Sequence, residues 1–427
     1  MGSNTDIMVV EIHSLIREDP MNINMIIRKS LPVKGFRLGK ATLIFDRLIH
    51  IPIYPRRGSR PICPVCKRRG ATYDTREPRT WRHTAGWGIR VLIEYAPRRV
   101  ECNRCGEIRT EQMPWNLGKC RLTIPLIIII ASWARELSWQ QTADLFEVNW
   151  RQVSSAVETA VQFGLERCNT ADVTLIGIDE ISRRKGHKYL TQVYEIAAGN
   201  RRLLWSGAGR TAETLKEFFT YWGDERNARL EGICCDMWDP YMAAIAEYAP
   251  HATVVLDKFH IVQQLNNAVD EVRREEANRL RQAGIDMLKG SRYIWLTHPD
   301  RLTPSQEVRL QQIASRNSRT HRAWLLKEAL RAFWNAESVD EAWEAFHEWF
   351  WWATHSRLEP FRKLAWMLRR RIEHILNYFR LPINNSVVEG LNNKAKVIMR
   401  RAYGFRTIKT CQLALMHGLG HLVIPNS

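Results

Sequence analysis

Residues 174–196 read TLIGIDEISRRKGHKYLTQVYEI, and the reading of this stretch decides the fold class. Val173–Ile178 is a short apolar run of the kind that forms a buried strand. Lys188–Ile196 and Arg201–Trp205 read as two more strands, with Ala198-Gly199-Asn200 as the tight turn between them. Outward from there, helix and strand alternate: helix Ala212–Tyr221, strand Gly232–Cys235, helix Pro240–Tyr248 and strand Ala252–Leu256. This pattern predicts an α/β unit built on a mixed sheet.

Three carboxylates stand out by their placement. Asp179 ends the apolar TLIGID, Asp236 ends GICCD, and Glu389 lies in NNSVVEGLNNKAKVIMRRAYGFR. A carboxylate at a strand's end ionises at little cost and faces a cleft. Two on adjacent strands, joined by a third acid on a helix, make a hard-oxygen cage suited to Mg²⁺ or Mn²⁺. Two such ions about 3.5–4 Å apart stabilise both oxygens of an in-line phosphoryl displacement. Other readings stand beside this one. The two aspartates can be ordinary strand-end acids, and Ser386-x-x-Glu389 fits a helix capping box. The context favours chemistry: Glu389, Asn393, Lys396 and Arg400 share one helix face. Residues 391–410 also carry six Lys/Arg and no acid, which lays a phosphate backbone beside Glu389. Asp257 and His260, a DxxH pair after a strand, fit either packing or the site.

The 427 residues correspond to two to four domains. Apolar residues at 45% and charged residues at 25% exclude a wholly disordered chain, and 23 Gly with 17 Pro exclude a collagen-like one. Lys+Arg at 63 against Asp+Glu at 45 leaves a net charge of +18, which points to a polyanion, nucleic acid before membrane. The longest apolar run, Ile124–Ala131, is far short of the roughly 20 residues of a membrane span. The N-terminal MGSNTDIMVVEIHSL lacks the pattern of a secretory signal. With nine cysteines, four of them in CxxC pairs, the expectation is a cytoplasmic protein with metal-bound thiolates.

Cys63-Pro-Val-Cys66 and Cys102-Asn-Arg-Cys105-Gly106 are two knuckles separated by 35 residues, within which the alternating Ile89–Tyr95 suits a hairpin. Four thiolates suit one structural Zn²⁺ with no open position. His83 is a spare ligand or a hydrogen-bonded surface residue. Residues 51–110 hold 14 Lys/Arg against 5 Asp/Glu, among them Arg68, Arg69, Arg98 and Arg99, a surplus that favours phosphate contact over a merely solvated face. Residues 41–54 predict one or two strands. Residues 138–160 read as two helices: Ser138 caps the first, Glu147–Asn149 turn, and the second starts near Trp150. Ala143, Val148 and Val153 fall where the pair must pack. Arg151, Gln152 and Ser155 are then candidate base readers in a helix-turn-helix, with a plain helical hairpin as the alternative. Glu147 stands where positive φ favours glycine.

The order strand–Asp179, hairpin, helix, strand–Asp236, helix, strand, helices and Glu389 resembles the ribonuclease-H-like core of DDE transposases. More narrowly, the chain is similar to the ISL-three group of bacterial insertion-sequence transposases. The resemblance rests on the two cysteine pairs and on Ile178-Asp179-Glu180 followed by Arg184-Lys185-Gly186-His187 and Tyr189. It continues through Asp236-Met237 with Tyr241, Asp257-Lys258-Phe259-His260, Glu389-Gly390-Leu391-Asn392-Asn393-Lys394 and Arg400-Arg401-Ala402-Tyr403-Gly404-Phe405. It implies a transposase that binds terminal inverted repeats in double-stranded DNA and performs strand cleavage and strand transfer, acting as a homodimer or higher assembly with no membrane partner. Asp179, Asp236 and Glu389 would hold two Mg²⁺ or Mn²⁺ ions, Asp179 bridging both. Lys394, Lys396, Arg400, Arg401 and Arg406 would grip the backbone. The expected organisation is an N-terminal β-containing segment (1–50), a zinc-binding domain (51–115), a helix-turn-helix domain (116–170), a ribonuclease-H-like core (171–260 and 381–427) and a helical insertion (261–380). An inactive DNA-binding regulator on the same scaffold and a structure-specific nuclease are the competing readings.

Overall fold

The apolar alternation of Leu48–Pro55 buries every second residue, and a strand of that kind needs partners on both edges. In the computed structural model it finds them. Residues 23–424 are described, apart from 87, 118–119, 185–187, 317 and 384–385. The first 22 residues of the 1–50 segment, and Lys185, Gly186 and His187 of the family motif, thus lie outside the described residues. The chain divides into two units: residues 1–168 with 401–418 and 422–427, and residues 169–400 with 419–421.

The first unit begins with helix α1 (Ile23–Ser30) and strands β1 (Phe36–Leu38), β2 (Thr42–Ile44) and β3 (Leu48–Pro55). These are followed by β4 (Ala71–Thr75), β5 (Arg79–Gly86), β6 (Ile89–Tyr95), β7 (Arg98–Cys102) and β8 (Glu107–Thr110). β5 and β6 form the hairpin expected between the cysteine pairs, but it joins the N-terminal strands: β6 pairs in parallel with β3, in a sheet ordered β1-β3-β6-β5. An expected boundary at residue 50 therefore falls inside β3. The reason is apolar burial, since Ile49, Ile51 and Ile53 of β3 and Val91, Ile93 and Tyr95 of β6 enter one core. Trp115 closes it with edge-on contacts to Phe36, Trp81 and Tyr95. The second sheet, β4-β7-β8, is antiparallel and carries Cys102, with Cys105 in the turn from β7 to β8 and Cys63 and Cys66 ahead of β4.

Three helices follow: α2 (Ile124–Glu136), α3 (Trp139–Leu145) and α4 (Trp150–Leu165). Pro125 starts α2, where a missing N–H costs nothing. Both α3 and α4 open on full capping boxes, Ser138 with Gln141 and Asn149 with Gln152. Between them Glu147 takes φ 50°, and the Val148 N–H closes the turn on Ala143 O at 2.9 Å. Ala143 and Val153 are buried at the packing positions read from the sequence. The helix Ile408–Leu419 and its flanks belong largely to this unit: Lys409 pairs with Glu158 at 2.9 Å, and Gly164 lies so close to Leu422 that a Cβ would sit 2.6 Å from it. None of the described helices is long and apolar enough to cross a membrane.

The second unit holds a mixed five-stranded sheet, β11-β10-β9-β12-β13, made of β9 (Leu175–Arg184), β10 (Lys188–Glu195), β11 (Arg202–Ala208), β12 (Gly232–Cys235) and β13 (Thr253–Leu256). β9, β10 and β11 are antiparallel neighbours, whereas β12 runs parallel to both β9 and β13. Helices α5 (Ala212–Trp222), α6 (Asp224–Asn227) and α7 (Asp239–Tyr248) form the crossovers. From α8 (Lys258–Gln282) onward the chain is helical: α9 (Arg292–Leu296), α10 (Pro304–Ala314), α11 (Arg319–Trp334), α12 (Val339–His355), α13 (Glu359–Arg369) and α14 (Ile372–Arg380). On α11 and α12, Phe333, Phe346 and Trp349 are buried in the same cluster as the sheet residues Ile176, Ile233 and Val254, while Trp351 and Trp352 are exposed. α14 lies along edge strand β13, and Asn377 Nδ2 donates to Val254 O at 2.9 Å. Helix α15 (Ser386–Arg401) then brings Glu389 back to the sheet.

Candidate active site

Asp179 does not end its strand, as the sequence suggested; it lies midway along the ten-residue β9. β9 runs on because its outer half pairs with β10, where Gln192 faces Asp179. Its parallel partner β12 stops earlier, pairing only with Leu175–Gly177. Asp179 is thus at the carboxyl end of the parallel part of the sheet, where open α/β sheets place their ligands. Cys234 pairs with Gly177 on one side and with Val255 on the other. Two residues further along this register, Asp236 stands level with both Asp179 and Asp257, so three neighbouring strands present one row of aspartates.

Each member of the row is held by backbone. Asp179 Oδ1 accepts from the Glu180 N–H at 2.7 Å, and Asp236 Oδ1 from the Met237 N–H at 2.5 Å. Asp257 caps α8, accepting from the Phe259 N–H at 3.1 Å. One turn into α8, His260 lies between two of them, with Nδ1 3.5 Å from Asp236 Oδ2 and Nε2 3.7 Å from Asp257 Oδ2. Glu389 is exposed on α15 and lines a cavity of about 570 Å³ together with Asp179, Glu180, Asp257, His260 and Lys396. Asn392 fastens α15 to β9: its Nδ2 donates to Asp179 Oδ2 at 2.8 Å. The sequence reading singled out Asn393, which is exposed; the buried partner of Asp179 is Asn392.

Burial pushes the carboxyls of Asp179, Glu180 and Asp257 upward, and the charge of Asp236 adds to the effect at all three. The imidazole of His260 counters it at Asp179 and Asp257. Desolvated carboxylates that repel one another are a set of hard oxygen donors lacking positive charge. That donor chemistry fits the divalent cations that DDE transposases use. Asp257, His260 and Asn392 had no assigned role in the sequence reading. The DxxH spacing signalled the first two, but only the sheet register puts them in the row.

The cysteines form the second constellation. Cys63, Cys66, Cys102 and Cys105 place their four Sγ atoms within 4.8 Å of one another, and none is in a disulfide. They are the only such group of metal-ligating side chains among the described residues. Sγ separations of 4.0 Å (Cys63–Cys105) and 3.4 Å (Cys66–Cys102) bracket the roughly 3.8 Å edge of a tetrahedron with Zn–S near 2.3 Å. Both knuckles turn alike, through positive φ at Lys67 and Gly106 after the second cysteine of each pair. Hydrogen bonds from backbone N–H groups, the Cys105 N–H foremost, pull the Cys102 thiol down to about 6. The cluster is compatible with zinc. His83 is neither a ligand nor a surface residue: it is buried, with Nδ1 2.9 Å from Thr123 Oγ1 and Nε2 3.1 Å from Ser30 Oγ.

The expected DNA-contacting residues divide in two. Arg68, Arg69, Arg151, Lys394, Lys396, Arg400 and Arg406 are exposed. Arg98 is bound to buried Glu111 and to Ser59 O, and Arg99 is paired with Asp74, Nε to Oδ1 at 2.7 Å. Arg401 donates to the carbonyls of Arg135 and Glu136, which close the end of α2. Gln152 completes the cap of α4, and Ser155 is half-buried on the same helix. Arg98, Arg99, Arg401 and Gln152 thus have structural partners that the sequence did not reveal.

A family model described as a transposase, of the ISL3 type of DDE enzymes, matches residues 176–415. The chain is 30% identical to the transposase for insertion sequence element IS1001 of Bordetella parapertussis, over 81% of this chain and 85% of that protein. It is 29% identical to the transposase for insertion sequence element IS1557 of Mycobacterium tuberculosis, over 86% of this chain and 88% of that one. With a row of aspartates level across three neighbouring strands, an incoming helix that carries Glu389 and likeness of this extent, the chain belongs to the ISL3 family of insertion-sequence DDE transposases.

Proposed function

We propose that the chain binds the terminal inverted repeats of its insertion sequence and cuts and joins DNA at Asp179, Asp236 and Glu389. On this reading residues 171–260 and α15 are a ribonuclease-H-like core, interrupted by the helical insertion 261–380. The sheet order, with three antiparallel strands followed by two parallel ones, supports it. The Cys₄ centre is a zinc ribbon, α3 and α4 are a helix-turn-helix with Arg151 at its DNA face, and the partner is double-stranded DNA in the cytoplasm, engaged by a homodimer or larger assembly.

The observation that carries the reading is that Asp179 and Glu389, 210 positions apart in the chain, line one cavity beside Asp236 and Asp257. Asp179, Asp236 and Glu389 would hold two Mg²⁺ or Mn²⁺ ions, which supply an activated water or 3′-hydroxyl and charge stabilisation at the phosphorus. The protein side chains do the rest. The Glu180 and Met237 N–H groups hold Asp179 and Asp236 in fixed orientations. Lys396 meets the phosphate beside Glu389, and His260 keeps Asp236 turned toward the row.

The test is cleavage of a plasmid carrying the terminal repeats that flank the chain's own gene, with Mg²⁺ or Mn²⁺. Glu389→Gln and Asp179→Asn should bind these ends like the wild type and cut them at least about a thousandfold more slowly, since each metal contributes several kcal/mol. Full cutting by Glu389→Gln would reduce that residue to a helix cap. End binding by the wild type without cutting in any divalent metal would instead mark an inactive regulator.

A further inference from the structure

Tyr194 and Asn392 stand behind Asp179 in a chain of two hydrogen bonds, the first buried and the second partly buried. The Tyr194 hydroxyl donates to Asn392 Oδ1 at 2.7 Å, and Asn392 Nδ2 donates to Asp179 Oδ2 at 2.8 Å. Tyr194 is 0% and Asn392 3% exposed. The other oxygen, Oδ1, is held by the Glu180 N–H. Each carboxylate oxygen therefore has one fixed donor, which sets the plane of the group and leaves its remaining lone pairs for the cavity.

The order of donors follows from chemistry. An ionised carboxylate only accepts, so Asn392 must turn its NH₂ toward Asp179 and its oxygen toward Tyr194. The hydroxyl of Tyr194 then locks that orientation. Gly177 is the register partner of Tyr194 on β9, so that position adds no side chain beside the ring. Asn392 also lies one turn after Glu389 on α15, with Val388, Leu391 and Ala395 of that helix buried around it. The bond to Asp179 thus sets the separation of the strand that carries one acid and the helix that carries another.

We infer that Asn392 and Tyr194 are positioning residues that orient Asp179 and register the helix carrying Glu389 against it, so that the acids can converge on divalent cations. This rests on the reading of Asp179 as a metal ligand. Outer-shell partners of this kind are worth about 10–100-fold in metal affinity or activity.

The experiment uses full-length protein with Asn392→Leu, Tyr194→Phe and the double substitution, and Asp179→Asn as control. Mn²⁺ binding is read from the resonance signal of the free ion, alongside cleavage of the repeat-bearing plasmid, end binding and thermal midpoint. Asn392→Leu should bind Mn²⁺ about 10–100-fold more weakly and need correspondingly more Mn²⁺ for half-maximal cutting, with end binding unchanged. Tyr194→Phe, which keeps the ring and its packing, should show a smaller loss of the same kind. Because it acts through Asn392, it should add nothing in the Asn392→Leu background. Unchanged Mn²⁺ affinity in Asn392→Leu, or an equal Tyr194→Phe loss in both backgrounds, overturns the inference. If Asp179→Asn itself binds Mn²⁺ and cuts normally, the reading of the triad fails; if only the positioning variants behave as wild type, the triad stands and this inference alone falls.

Discussion

Arg98 and Glu111 form an interior ion pair, with Nη2 to Oε2 at 2.7 Å and Nε to Oε1 at 3.0 Å. The side chains are 11% and 1% exposed. Tyr95 donates its hydroxyl to the same carboxylate, and Arg98 Nη1 donates to Ser59 O at 2.7 Å. This network ties β6, β7 and the segment before the first knuckle together. A residue that looks in sequence like one more phosphate contact is therefore a strut.

That difference is measurable. Arg98→Ala leaves a carboxylate buried without its partner and should cost about 3–5 kcal/mol in denaturant unfolding. The double substitution Arg68→Ala and Arg69→Ala should leave stability unchanged and lower the slope of log K against log salt by about 1.8, at about 0.9 per phosphate. Similarly, Arg400→Ala should flatten the salt slope, while Arg401→Ala should destabilise the end of α2. A flattened slope in Arg98→Ala with normal stability would reverse the assignment.

One zinc ion per chain is expected by elemental analysis, held by Cys63, Cys66, Cys102 and Cys105. Cys63→Ser should lose it together with end binding. The loss should unfold the β4-β7-β8 sheet, whose apolar core holds little besides Val100 and the cysteines. Zinc-free wild-type protein with unaltered circular dichroism and DNA affinity would contradict this.

His83 makes the first unit sensitive to acid. Its burial pushes the imidazole from an ordinary 6.5 down to about 4. The unfolded chain therefore takes up a proton at a higher pH than the folded one. The stability that neutral His83 contributes is complete above 6.5 and is lost as pH falls toward 4. The contribution reaches about 3 kcal/mol. Replacing His83 with Gln should flatten the pH dependence of unfolding between 6.5 and 4; an unchanged profile would mean the site stays protonated and bonded when folded.

The turn between α3 and α4 separates capping from recognition. Asn149→Ala removes the side-chain acceptor of the Gln152 N–H and should cost about 1 kcal/mol of stability. Arg151 is exposed at the start of α4, so Arg151→Ala should leave unfolding unchanged and weaken binding to the terminal repeats more than to random DNA. Equal weakening on both DNAs would make Arg151 a phosphate contact.

Much of this protein was legible residue by residue. The apolar run before Asp179, the alternation through Leu256, the paired CxxC turns and the cap at Ser138 are local patterns, and local patterns specify element type and turn chemistry. The acids at Asp179, Asp236 and Glu389 were visible because each breaks such a pattern. Only the tertiary structure decided which elements meet. It pairs β3 with β6 across the cysteine segment, sets Asp257 level with Asp236, turns Asn392 rather than Asn393 onto Asp179, and gives Arg98 an interior partner and Arg401 two backbone carbonyls at a helix end. These choices depend on strand register and on burial between segments tens to hundreds of residues apart. A one-residue shift in register or a third of a helical turn changes the outcome, and no local periodicity carries that information.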